Sequence, residues 1–219
     1  MPDDISRDHF IPSPGTAEAD QRRQSFGAQA YAYTKFRPGY PLEVFYYLLG
    51  LVNGAGRTPD VVDIGAGTGQ LTVGFAARDC RVIGVEPDDR MRQVLASREG
   101  IADTFAGSAE ALPLPDSSAD LIAGAQMWHW VDPSRAVPEI ARVLRPGGVL
   151  AIVWRLRDDN EPWLKAMEQV VELPDSYKWF RKNDIPDLAK PFGAMDLQEF
   201  AFTQTSTPEG LVGLVGTFS

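Results

Sequence analysis

Asp63, Gly65, Gly67, Gly69 and Glu86 hold the chemistry that is most legible in this chain. They fall in and just after the stretch Val61–Thr72, which reads VVDIGAGTGQLT. Glycines allow positive φ and let a ligand rest against main chain where a Cβ would block it. The helix start beyond such a turn offers unpaired N–H groups and a partial positive charge, suited to an anionic ligand group. Glu86 ends the next apolar run, 21 residues after Gly65. A carboxylate at the tip of a second strand can accept both hydroxyls of a ribose diol. The dinucleotide fingerprint G-x-G-x-x-G would need a third glycine at position 70, where this chain has Gln70.

These residues need a scaffold that delivers strand ends to one place. From Asp60 the sequence alternates apolar runs with helical patterns. The spacing predicts strands over 60–65, 80–86, 102–106, 119–125 and 148–154, and helices over 69–78, 88–98 and 133–144. Such alternation implies an α/β fold with a parallel, doubly wound sheet and helices on both faces. Ligands then bind beyond the carboxyl ends of the strands. Gly65–Gly69, Glu86, Gly107–Glu110 and Gln126–His129 are all expected there. Upstream, residues 1–19 read as a flexible arm and 20–57 as a helical cap, with helices over Asp20–Thr34 and Leu42–Val52 around the turn Lys35–Pro41. Residues 58–154 form the nucleotide-binding core of a single domain, and 155–219 its C-terminal part. There, Glu161–Val171 reads as a helix, 197–206 as a strand with Phe200 and Phe202 on one face, and Pro208–Phe218 as the start of another helix.

The pattern E/D-x-G-x-G-x-G followed by an acidic strand end resembles the cofactor motifs of class I S-adenosylmethionine (SAM) dependent methyltransferases. The resemblance covers roughly residues 25 to 154. The Tyr-rich piece followed by RPGYP (Arg37–Pro41) looks like the cap of small-molecule enzymes of the trans-aconitate and ubiquinone-biosynthesis type, within the group called methyltransferase type 11. The resemblance implies a Rossmann-like fold whose sheet closes with two further strands, the last antiparallel. Only one closing strand is visible, so the expectation is that the final antiparallel strand is missing. It further implies that Asp63, Gly65, Ala66, Gly67 and Gly69 line the methionine and ribose of SAM, with Thr68 and Gln70 near its carboxylate. Glu86 would hold the ribose, Pro87 and Met91 would lie near the adenine, and Ser108, Ala109 and Glu110 would contact it. AQMWHWVD (Ala125–Asp132) resembles the family's fourth-strand end, which places Gln126 at the cofactor and Trp128 and His129 beside the substrate. His129 is either a general base or a residue that orders its loop. Arg37 and Tyr40 complete the expected substrate residues, Arg37 as a partner for a carboxylate or as an ordinary surface arginine.

The 219 residues, 44% of them hydrophobic, suffice for one well-cored domain. A net charge of −9 disfavours nucleic-acid backbones as partners. Cys80 is the lone cysteine, so no intrachain disulfide forms, and the two histidines, His9 and His129, build no metal cluster. With no signal peptide and no apolar stretch long enough for a membrane, the expectation is a cytoplasmic protein, monomer or homodimer, that acts on a small-molecule methyl acceptor. Two other classes stay open at this point. One is a non-catalytic SAM-binding or scaffold protein. The other is an NAD-dependent oxidoreductase, against which Gln70 and the short chain both argue.

Overall fold

A computed structural model describes residues 30–52, 56–158, 160–171, 188 and 190–217. The expected arm 1–19, the first ten residues of the expected helix Asp20–Thr34, and Trp179 and Phe180 lie outside the described residues, as do the side chains of Tyr31 and Tyr33. Five strands run in the order β3-β2-β1-β4-β5: β1 Asp60–Ile64, β2 Arg81–Val85, β3 Asp103–Phe105, β4 Ala119–Ala125 and β5 Leu144–Val153. Every pairing between them is parallel. The helices are α1 Ala30–Phe36, α2 Leu42–Gly50, α3 Thr72–Ala76, α4 Asp89–Ala96, α5 Pro133–Val143, α6 Pro162–Glu168 and α7 Pro208–Val215. A short 3₁₀ turn spans Trp128–Trp130.

Strand side chains alternate between faces, so each central strand feeds two cores. Val61, Val82, Leu121, Ala123 and Ala151 pack with Val44, Phe45, Leu48 and Leu49 of α2 and Phe75 of α3. On the other face Val62, Ile64, Ile83, Val85 and Ile122 pack with Ala136, Val137, Ile140 and Val143 of α5. The spacing of those four α5 residues is one apolar stripe of a helix. Two aspartates start helices. Asp88 accepts from the N–H groups of Arg90 and Met91, both at 2.9 Å, and Asp132 accepts from that of Ser134 at 3.0 Å, with Pro133 at the first helical position.

Three sequence expectations are corrected. The helix after the glycine turn begins only at Thr72, because the chain continues in turns through Leu71. β5 begins at Leu144 rather than residue 148: Leu144 pairs with Ala119, then Arg145–Gly148 bulge out opposite Asp120 before Val149 pairs with Leu121. Residues 197–206 form no strand. The alternation there reflects one anchored ring: Phe200 packs on Tyr47, with ring centroids 5.8 Å apart, while Phe202 is exposed.

Candidate functional site

The glycine turn leaves β1 at its carboxyl end. Gly65, Gly67 and Gly69 all take positive φ, at +61°, +58° and +89°. Two of them are also demanded by close neighbours. A Cβ on Gly65 would stand 3.0 Å from Met127 Cβ, and one on Gly69 would stand 2.7 Å from Leu95 Cδ1. Gly69 thus lets α4 pack against the turn, which leaves position 70 free to carry a side chain. The turn is pinned from below by Ala66 N–H donating to Val85 C=O at 3.1 Å.

Glu86, at the tip of β2, is 6% exposed. It accepts from Gly67 N–H at 2.8 Å and from Asp88 N–H at 2.9 Å, one bond per carboxylate oxygen. Each oxygen therefore keeps a lone pair for a ligand hydroxyl. Burial pushes its pKa up, and the two N–H donors pull against that. Asp63 lies on the adjacent strand and is 1% exposed. Its Oδ2 accepts from the Thr72 hydroxyl at 2.6 Å, and its Oδ1 has no partner among the described residues. Burial raises this acid to about 7; the Thr72 hydroxyl lowers it and the Glu86 charge raises it further. Thr68 is fully buried, and its Oγ1 likewise has no partner among the described residues. Asp63, Gly65, Ala66, Gly67 and Gln70 line one concavity together with Tyr40, Leu71 and Ala125. Asp63 borders this concavity, so a ligand's donor can reach its Oδ1.

The other expected residues divide by position. Met91 is buried, and its sulfur lies 3.8 Å from where a Cβ on Gly67 would be, which puts it beside the turn. Pro87 is exposed. Ser108 bridges to Ala111, Ala109 is buried in the α5-side core, and the Glu110 carboxylate accepts from Asp132 N–H at 2.9 Å. Gln126 takes φ +57°, unusual for a residue with a side chain, and so bends the chain off β4 to bring Met127 against Gly65. Trp128 belongs to the core, with Nε1 unpartnered among the described residues. His129 contacts the rings of Trp130 and Trp154, tilted 44° and 49° to them at centroid distances of 4.9 and 5.4 Å. Arg37 donates from Nε to Thr217 Oγ1 and from Nη2 to the Thr217 carbonyl, both at 2.9 Å. Arg155 and Arg98 escaped the sequence reading. Arg155 donates to Pro38 C=O at 2.6 Å with its guanidinium 5.7 Å from the Tyr40 ring centre, and Arg98 Nε donates to Thr68 C=O at 3.2 Å. An arginine bound to backbone carbonyls leaves no pattern in a single sequence.

A parallel 3-2-1-4-5 sheet with a glycine turn and a buried acid on each of two neighbouring strand tips defines a Rossmann-like, nucleotide-cofactor-binding protein. Residues 62–152 match the methyltransferase domain family. An uncharacterized methyltransferase of Mycobacterium bovis is 40% identical over 89% of this chain and 76% of its own length. A solved structure from Anaeromyxobacter dehalogenans, described as a type II methyltransferase, is 28% identical, with a TM-score of 0.54 over 84% of this chain and 79% of that one. A structure from Methanococcus maripaludis, described as a SAM-dependent methyltransferase, shares the fold at 21% identity, with a TM-score of 0.52 over 74% of this chain and 76% of that one. The chain belongs to the class I SAM-dependent methyltransferases. SAM is its cofactor, and the unpartnered Asp63 oxygen and the half-engaged Glu86 carboxylate fit a ligand that carries an amino group and hydroxyls.

Proposed function

We propose that this methyltransferase alkylates a small-molecule acceptor by direct displacement, in the concavity under Tyr40. The carrying observation is the pair of buried carboxylates, Asp63 and Glu86, on adjacent strand tips around the glycine turn. Bound SAM supplies a methyl group activated by a neighbouring sulfonium. The chain's work is to hold and align the reactants and to exclude water. Glu86 accepts the ribose hydroxyls, and Asp63 Oδ1 accepts from the methionine end of the cofactor. The main chain of Gly67–Gln70 faces the cofactor carboxylate, and Met91 borders the adenine. The acceptor enters beside His129, and His129 takes its proton as the nucleophile forms.

The test is a thermal-shift comparison of S-adenosylhomocysteine, SAM and NAD. A ligand at 100 times its Kd adds about 2.7 kcal/mol to the folded state. A shift of several degrees with the two sulfur ligands and none with NAD is expected, and a shift with NAD alone would overturn the reading. Once an acceptor is found, His129→Asn should keep S-adenosylhomocysteine binding and lose about 100-fold or more in kcat. Unchanged turnover would leave His129 with an ordering role only.

A further inference from the structure

The amide of Gln70 performs a task that the glycine turn does not explain. Its Nε2 donates to two carbonyls of the cap, Arg37 C=O at 2.7 Å and Thr34 C=O at 3.2 Å. Its Oε1 faces Arg98 Nη2 at 3.4 Å, while Arg98 Nε holds Thr68 C=O. The orientation of the amide is thereby set: oxygen toward a guanidinium, nitrogen toward two acceptors. Thr34 sits in the last turn of α1, where carbonyls have no partner within the helix, and Gln70 supplies the missing donor. Three residues beyond Arg37 stands Tyr40, which lines the same concavity as Asp63 and Gly67. A primary amide is the one neutral side-chain end that gives two N–H donors and an acceptor here.

We propose that Gln70 is a positioning residue that latches the 34–40 segment of the cap onto the glycine turn, so that Tyr40 closes the cofactor cleft and slows cofactor release. The inference rests on the reading of that cleft as the SAM site. Gln70→Glu is isosteric but turns oxygens toward two carbonyls, and Gln70→Ala removes the latch without adding charge. Both should speed S-adenosylhomocysteine dissociation about tenfold or more, with the melting temperature of the ligand-free protein little changed. Both should also speed amide hydrogen exchange at Lys35, Phe36, Gly39 and Tyr40 in the ligand-free protein. Dissociation within twofold of wild type overturns the latch. Faster dissociation with unchanged exchange in the cap also overturns it, in favour of a direct contact between Gln70 and ligand. Glu86→Gln measured alongside isolates the underlying reading: if that variant binds S-adenosylhomocysteine as wild type does, the cleft itself is misplaced.

Discussion

At Asp63 the cost of burial and the needs of the ligand meet in one carboxyl group. Burial holds the acid near 7, against an unfolded value of about 4. A group whose folded pKa is raised contributes stability that is fully present below the unfolded pKa and lost as pH rises through the folded one. Ligand-free protein should therefore lose stability between about pH 4 and pH 8 on this group's account. Asp63→Asn should flatten that slope in denaturant titrations and become the more stable form toward the alkaline end. The cationic cofactor favours the ionised acid, so SAM affinity in the wild type should rise over the same window. An Asn variant with the wild-type slope would remove Asp63 as the titrating group.

Among the elements, α3 shows how packing overrules propensity. It has five residues, Thr72–Ala76, with Gly74 in the middle. Alanine there would gain about 1 kcal/mol of helix propensity. A Cβ on Gly74, however, would collide with the Phe45 ring, which is 2% exposed and stands edge-on to Phe75 at 5.1 Å. Overpacking of a filled core costs about 1–3 kcal/mol. Gly74→Ala should therefore destabilise the fold by up to about 2 kcal/mol net, read by chemical denaturation; higher stability would show that the α2–α3 contact yields easily. The parallel sheet was legible in the sequence because Val61–Ile64 and Val82–Val85 are buried on both faces and read as short apolar runs, broken only by Asp63. The segment 197–206 misled because alternation of residue type does not supply a neighbouring strand to accept the ladder: Phe200 packs on Tyr47, but Phe202 is exposed.

Over the whole molecule the two rims of the sheet do different work. At the amino rim, Arg57 and Arg145 pair with Asp60 and Asp120, and Asp60 N–H donates to Asp120 at 2.8 Å. The β5 bulge brings Arg145 into that clasp, which ties the starts of β1 and β4 together far from the glycine turn. The carboxyl rim gathers Asp63, Glu86 and Gln126, whose places follow from strand ends that a single sequence displays. The fastening of the cap over that rim was not legible, since Gln70, Arg155 and Thr217 reach it from far along the chain and meet it largely at main-chain carbonyls, which carry no residue identity.

Those fastenings also set an order of events. Arg37 and Thr217 are 180 residues apart, and Arg155 and Pro38 are 117 apart, whereas Gln70 and Arg37 are separated by 33. Contacts between distant residues carry the larger loop-closure cost and form late. During synthesis the cap leaves the ribosome ahead of the sheet it covers. Gln70 can hold it as soon as β1 and the turn exist, but Thr217 arrives only after the five described strands have been made. The cap helices α1 and α2 are thus secured in stages, and the cofactor cleft matures from a half-tethered cap to a closed one as α7 and Thr217 dock.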